Sequence, residues 1–237
     1  MPELETRIQN LGYRAIDTSF HDTSGKNGQT NLLTNDDGYA AEGINVMYEA
    51  LTGAGHTVYL VALKGQNSGG GSTLGGTDAL LSEIGILECG DGKWRVDGTP
   101  TTAVMAALVG IFAGEQIDLV ISGTNEGENV GAFANISGTL GAAVEAISRG
   151  IPTIAFSAGS SVDGSYGGAY ERAGSHATGL IADLMEAREG ETLLPAGTGL
   201  TVNVPSADPA GAAYAEVTAE APFVLGVQEY VPGNPAT

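Results

Sequence analysis

The chain has 237 residues, and its 28 acidic and 9 basic side chains give a formal net charge of −19. This length allows one large α/β domain or two small ones, and we expect one domain with an appendage. The negative charge repels phosphate backbones and anionic lipid surfaces, which argues against a nucleic acid polymer or a membrane as the main partner.

A single cysteine, Cys89, excludes an internal disulfide framework and a thiolate metal cluster. No window is apolar over the 18 or so residues of a membrane span. The first thirty residues also lack the apolar stretch of a secretory signal. We therefore expect a cytoplasmic protein, or a secreted or periplasmic one if a signal segment was removed before residue 1.

Residues 1–30 show no sustained apolar period, so we interpret them as an N-terminal extension. From residue 31 onward, apolar runs that predict strands alternate with helical periods. The predicted strands are 31–34, 57–62, 117–122, 151–157 and 199–205. The predicted helices lie along Ile44, Met47, Tyr48 and Leu51; from Thr99-Pro100 through Val104, Leu108 and Ile111; along Leu140, Ala143, Val144 and Ile147; and over 168–189.

This repeated strand–helix–strand order predicts an α/β fold with a Rossmann-like, doubly wound, mostly parallel sheet in three layers. Residues 86–96 contain Gly-Asp-Gly and predict a peripheral hairpin. Residues 206–237 are interpreted as a C-terminal tail or arm. Ligands of such sheets bind outside the carboxyl ends of the strands.

Three loops follow predicted strands at that edge: 35–38 (NDDG), 63–76 (LKGQNSGGGSTLGG) and 122–131 (SGTNEGENVG). In the first, Asp36 and Asp37 are adjacent carboxylates, which are costly unless a cation or hydrogen-bond donors compensate them. Oxygen ligands of this kind suit Mg²⁺, Mn²⁺ or Ca²⁺. The alternative is an ordinary surface turn followed by a helix.

The second loop offers a hydroxyl ligand from Ser68 or Ser72, or it is merely a flexible Gly/Ser segment. The third loop contains Asn125 and leads to Ser137-Gly138-Thr139 at a predicted helix start, which is typical of a phosphate-binding helix N-terminus. Its spacing matches neither the Walker motif nor the dinucleotide fingerprint.

Together, the ordered motifs LLTNDDG, NSGGGS, DGTPTTAV, DLVISGTNEGENVG, ISGTLGAAVEA and IPTIAFS resemble the SurE family of survival proteins over residues 31–205. The resemblance implies a metal-dependent phosphomonoesterase, a hydrolase that acts on nucleoside monophosphates as a 5′- or 3′-nucleotidase. It also implies Mg²⁺ or Mn²⁺ as cofactor, with Ca²⁺ as a substitute in crystals, and a homodimer or higher homo-oligomer.

Carried over motif by motif, the resemblance implies that the metal ligands are Asp36, Asp37, Ser68 and Asn125. It makes Asp36 and Asp37 the catalytic residues. The substrate-binding and phosphate-binding positions that it implies are Asn35, Asn125, Ser137, Gly138 and Thr139. The choice of Ser68 over Ser72 comes from the resemblance alone.

The sequence departs from the family pattern at Glu42, where the family usually has proline, and at both ends of the chain. Glu42 adds negative charge near an expected anion site. These departures motivate an alternative, a non-catalytic acidic protein that keeps the SurE-like fold for binding or self-assembly.

Overall fold

The computed structural model describes residues 28–75, 84–161, 163–166, 168–188 and 192–213. Most of the predicted N-terminal extension and the predicted arm beyond residue 213 lie outside these ranges. Within them, no helix is long and apolar enough to cross a membrane.

A seven-stranded sheet forms the centre of the described structure, in the order β3-β4-β2-β1-β5-β6-β7. Its strands are β1 (Thr30–Thr34), β2 (Thr57–Leu63), β3 (Ile86–Gly90), β4 (Lys93–Val96), β5 (Leu119–Glu126), β6 (Thr153–Ala158) and β7 (Gly199–Val204). All neighbouring pairs are parallel except the antiparallel hairpin β3–β4 at one edge. The mostly parallel sheet and the peripheral hairpin are both confirmed.

In the described part of the chain, four helices cover the two faces of this sheet. They are α1 (Glu42–Gly53), α2 (Pro100–Met105, continued by a π-helical segment Ala106–Ile111), α3 (Gly138–Ser148) and α4 (Ala169–Ala187). Helices α1 and α4 pack together on one face, and α2 and α3 pack together on the other. The predicted three-layer, doubly wound architecture is therefore confirmed.

Adjacent residues of β1 supply the two cores of this three-layer structure. Successive strand side chains point to opposite faces, so Leu33 packs with Ile44 of α1 and Ile181 of α4, whereas Leu32 packs beneath α2 and α3. Both leucines are fully buried. The central strand is thus fixed on both faces, which holds its carboxyl end in a defined position.

The carboxyl ends of β1 and β5 meet at the point where the strand order reverses. From β1 the chain proceeds outward through β2, and after the hairpin it returns to the other side of β1 as β5. Open α/β sheets bind ligands in the crevice at such a switch point. The residues that follow β1 and end β5 are therefore the first candidates for a site.

Two expectations about local structure are wrong. Strand β5 continues four residues past the predicted end at Ser122, because Asn125 and Glu126 pair with β6 after a register shift. In the predicted apolar face of α3, Val144 is misplaced, since it is 53% exposed, whereas Ala143 is buried. The buried residues of α3 are instead small: Gly138, Thr139, Gly141, Ala142, Ala143 and Ala146. Close packing of this helix selects small side chains over large apolar ones.

The predicted start of α2 is confirmed. Thr99 is the N-cap, and its side chain accepts a hydrogen bond from the Thr102 N–H at 3.1 Å. Pro100 occupies the first helical position, where its missing N–H costs no helical hydrogen bond.

Candidate metal and phosphate site

The turn after β1 places two aspartates at the carboxyl edge of the sheet. Asn35 closes this turn, since its Nδ2 donates to the Gly38 carbonyl at 3.1 Å and its Oδ1 accepts from the Gly38 N–H at 3.2 Å. Gly38 has φ +108°, which side-chain-bearing residues rarely adopt. The fully buried Asn35 side chain thus shapes the loop that carries Asp36 and Asp37.

Asp36 is buried and is oriented by a chain of hydrogen bonds. The Thr139 hydroxyl donates to Asp36 Oδ1 at 2.7 Å and accepts from Asn129 Nδ2 at 3.3 Å. Asn129 Nδ2 also donates to Ser157 Oγ at 2.8 Å. These contacts join the loop after β1 to α3 and to β6, so Asp36 is positioned by three separate elements.

Asp37 and Asn125 present buried oxygens toward the crevice. Asp37 Oδ2 accepts from the Glu126 N–H at 3.0 Å, and Asn125 Nδ2 donates to the Gly127 carbonyl at 2.7 Å. The second carboxylate oxygen of Asp37, Oδ1, and the amide oxygen of Asn125, Oδ1, are buried without a hydrogen-bond partner among the described residues. Buried polar atoms are rarely left unpaired. A carboxylate oxygen and an amide oxygen at neighbouring strand ends therefore fit a divalent cation.

Burial dominates the electrostatics of the aspartate pair. It raises the pKa of Asp36, although the hydrogen bond from Thr139 opposes the shift. Burial and then the charge of Asp36 raise the pKa of Asp37 to about 7, although the Glu126 N–H opposes this rise. Two full negative charges are thus unfavourable here without a cation, and a bound divalent cation would stabilise both carboxylates.

The N-terminus of α3 lies directly against Asp36. A Cβ placed on Gly138 would be 2.8 Å from Asp36 Oδ2, so only glycine allows this approach. Ser137 is the N-cap, and its Oγ accepts from the Leu140 N–H at 3.2 Å. This use of Oγ leaves the hydroxyl hydrogen of Ser137 as a donor. The helix start therefore combines a capping hydroxyl with the backbone N–H groups that favour anions.

The Gly-rich loop after β2 is anchored to the same turn. The Asn67 N–H donates to the Asp36 carbonyl at 2.7 Å, and the Tyr39 N–H donates to the Leu63 carbonyl at 2.7 Å. Ser68 is exposed, and its Oγ accepts from Gln66 Nε2 at 2.6 Å. In the part of the chain that the structure describes, no hydrogen bond joins Ser68 to Asp36, Asp37 or Asn125.

Seven of the predicted site residues lie together at this edge of the sheet: Asn35, Asp36, Asp37, Asn125, Ser137, Gly138 and Thr139. The eighth, Ser68, instead has its hydroxyl hydrogen-bonded to Gln66. Sequence reasoning assigned no role to Asn129, Ser157 or Asn203. Asn203 Oδ1 accepts from the Asn129 N–H at 2.8 Å and fixes its backbone. The available signal was a polar residue inside a strand, at Ser157 in β6 and at Asn203 in β7.

Glu42 begins α1 after Ala41, which makes no side-chain cap. A carboxylate in the first turn of a helix interacts favourably with the helix dipole, which gives Glu42 a structural role. The next residue, Gly43, allows α1 to approach the Thr124 carbonyl of β5 closely. Gly43 and the next residue, Ile44, which is fully buried in the core, are therefore packing residues.

Comparison with known proteins agrees with this geometry. The chain matches the family model "Survival protein SurE" over residues 31–222. It is 36% identical over 185 residues to the 5′-nucleotidase SurE of Desulforudis audaxviator (strain MP104C), covering 76% of this chain and 67% of that protein. It is 34% identical over 189 residues to the 5′-nucleotidase SurE of Methylocella silvestris, covering 80% of this chain and 71% of that protein.

A solved structure gives the same result. The crystal structure of the SurE protein from Aquifex aeolicus matches with a TM-score of 0.65 and 33% identity. The match covers 75% of this chain and 66% of that chain, so the protein spans about two thirds of the length of these relatives. Because the family model covers most of the chain, the protein belongs to the SurE survival-protein family.

Proposed function

We propose that the protein is a metal-dependent phosphomonoesterase that hydrolyses nucleoside monophosphates, as a 5′- or 3′-nucleotidase. The observation that carries the proposal is the pair of buried, unpartnered oxygens, Asp37 Oδ1 and Asn125 Oδ1, beside the buried carboxylate of Asp36. The names of the relatives, which are 5′-nucleotidases, support the same activity.

Asp36, Asp37 and Asn125 would hold Mg²⁺ or Mn²⁺. Ser68 would be the fourth ligand once its Oγ gives up the hydrogen bond from Gln66 and binds the metal instead. Within the described residues no group of three or more His, Cys, Asp or Glu side chains is arranged to hold a metal ion, so the two carboxylates would be complemented by neutral oxygens. Such a cation, when bound, polarises phosphoryl oxygens and lowers the pKa of a bound water.

The N-terminus of α3 supplies the chain's own contribution to phosphate binding. Its backbone N–H groups and the Ser137 hydroxyl hydrogen are donors for phosphate oxygens. The Thr139 hydroxyl has its single hydrogen committed to Asp36 and therefore acts by orienting that carboxylate. Asn35 acts in the same indirect way, through the turn that it closes.

The proposal is tested by assaying the purified protein with 5′-AMP, 3′-AMP and p-nitrophenyl phosphate. We expect turnover with added Mg²⁺ or Mn²⁺, loss of turnover with a chelator, and recovery when the metal is restored. Absence of metal-dependent turnover with all three esters would contradict the proposal. It would favour the non-catalytic alternative, a SurE-like binding or self-assembling protein.

The assignment of Ser68 is tested by comparing Ser68→Ala with Ser72→Ala, a matched control in the same loop. Loss of one ligand should raise the Mn²⁺ concentration for half-maximal activity by about tenfold or more in Ser68→Ala. Ser72→Ala should behave as the wild type. Calorimetric titration with Mn²⁺ measures the metal affinity of both variants. Weaker Mn²⁺ binding in Ser72→Ala, with wild-type binding in Ser68→Ala, would assign the ligand to Ser72.

A further inference from the structure

Two stacked tyrosines lie beside the carboxyl ends of β5 and β6. The rings of Tyr166 and Tyr170 have centroids 4.9 Å apart and planes 23° apart. Tyr170, at the start of α4, is 4% exposed and packs with Ala158 and Ala169. Its ring edge would lie 2.9 Å from a Cβ placed on Gly43. Tyr170 is thus held on several sides and forms a rigid support for the half-buried Tyr166.

Tyr166 belongs to the loop that leaves the carboxyl end of β6. Near that strand end, Ser157 joins the hydrogen-bond network of Asp36 through Asn129. The side chain of Glu128 lies against Gly159, the first residue of the loop, with Oε1 2.5 Å from a Cβ placed there. The loop that carries Tyr166 therefore begins in contact with the loop after β5, which holds Glu128 and Asn129.

Acidic side chains at this edge of the sheet influence the Tyr166 hydroxyl. Burial raises the pKa of the Tyr166 hydroxyl, and the charges of Glu126, Asp37 and Glu128 raise it further. The ring therefore remains a neutral phenol, and its surroundings are anionic. An anionic wall repels a second phosphate group but not a neutral, flat heterocycle.

We propose that Tyr166 is the stacking surface for the nucleobase of the substrate, with Tyr170 as its buried support. The inference deepens the proposed nucleotidase function and rests on it. One face of the Tyr166 ring is covered by Tyr170, so the base stacks on the opposite face. Stacking of a base on an aromatic ring is tolerant of base identity. We therefore expect the site to accept both purine and pyrimidine monophosphates and to discriminate against esters without a base.

The experiment compares 5′-AMP with ribose 5-phosphate, which has the same phosphate ester and lacks the base. The quantity measured is the ratio of kcat/KM for 5′-AMP to that for ribose 5-phosphate, because partial unfolding of a variant affects both terms equally. We expect Tyr166→Ala to lower this ratio by about 5- to 100-fold, mainly through KM. Tyr166→Phe should keep the ratio, since the ring face is retained.

Tyr48→Ala is the matched control. Tyr48 is a half-buried tyrosine of α1 whose ring lies 3.9 Å from the Lys93 ammonium. Its loss should leave the ratio unchanged.

An unchanged ratio in Tyr166→Ala, or a wild type that does not prefer 5′-AMP, would overturn the stacking inference and leave the nucleotidase intact. If the wild type hydrolyses neither ester with Mg²⁺ or Mn²⁺, the proposed function fails. Calorimetric affinities for 5′-AMP and ribose 5-phosphate, measured on the same variants, then decide the stacking inference separately. Equal loss of both affinities in Tyr166→Ala would also contradict it.

Discussion

Asp37→Asn is expected to lower metal-dependent phosphatase activity by about two orders of magnitude or more while the protein stays folded. The asparagine keeps an oxygen that can accept from the Glu126 N–H, which lies 3.0 Å from Asp37 Oδ2. It loses the negative charge beside Asn125 Oδ1. Replacing a residue that only hydrogen-bonds a metal ligand already lowers metal affinity or activity by about 10- to 100-fold. Loss of a charged ligand itself should lower activity at least as much. The measurement is kcat/KM for 5′-AMP over a range of Mn²⁺ concentrations.

Asp118→Asn is the matched control for this substitution. Asp118 precedes β5 at the opposite end of the sheet, where its Oδ2 accepts from the Thr30 N–H at 2.8 Å. The same chemical change there should leave kcat/KM within about twofold, because the site is electrostatically remote. Full activity of Asp37→Asn, or equal losses in both variants, would contradict the assignment of Asp37 as a metal ligand.

The stability of the metal-free protein provides a second readout for Asp37→Asn. Burial and the charge of Asp36 raise the pKa of Asp37 from 3.8 to about 7. Between these two values Asp37 therefore holds a proton in the native state that it has released in the unfolded state. The free energy of unfolding should therefore fall as the pH rises from about 4 to about 7. Asparagine removes this contribution, so the difference in Tm between variant and wild type should grow across that interval in the presence of a chelator. A difference that does not depend on pH would contradict the raised pKa.

The position of the aspartate pair was predictable because it depends on local pattern. A short apolar strand ends in Asn-Asp-Asp-Gly, and a doubly wound sheet places such an end at the ligand-binding edge. The hydrogen bonds that orient Asp36 were not predictable in this way. Thr139 lies 103 positions further along the chain, and Asn129 reaches Ser157 across 28 positions. Such pairings follow from strand order and register, which hydrophobic periodicity does not determine.

The errors at α3 and β5 have a related cause. Periodicity assigns large apolar residues to the buried face, so it selected Val144, whereas α3 buries small residues against the sheet and the Gly-rich loop. The glycines near the end of β5 read as a loop, yet the strand resumes its pairing at Asn125 after a register shift. In both places one stretch of backbone lies directly against another, and small residues allow this contact. Hydrophobic periodicity detects only large apolar side chains, so it does not predict such contacts. These places are also the ones that border the site.

Gly138→Ala is expected to damage the site more than its chemistry suggests. The added methyl would lie 2.8 Å from Asp36 Oδ2 and 2.9 Å from Asp36 Cβ. Asp36 cannot turn aside without losing the 2.7 Å hydrogen bond from Thr139, so either the carboxylate or the helix start must move. Misplacement of a reacting group by about 1 Å can cost about 100-fold in rate, and crowding of this kind typically costs about 1–3 kcal/mol of stability.

Gly179→Ala is the matched control, because it separates the loss of the close contact between Gly138 and Asp36 from the general effect of replacing a helical glycine. Gly179 is exposed in α4, and nothing lies within 4 Å of a Cβ placed there. Alanine should raise the free energy of unfolding there by about 0.5–1 kcal/mol and leave kcat/KM unchanged. For Gly138→Ala we expect a lower Tm, weaker Mn²⁺ binding by calorimetry, and a fall in kcat/KM of about 100-fold. Retention of wild-type metal affinity in Gly138→Ala would show that metal binding by Asp36 does not depend on its close contact with Gly138. That result would contradict the prediction.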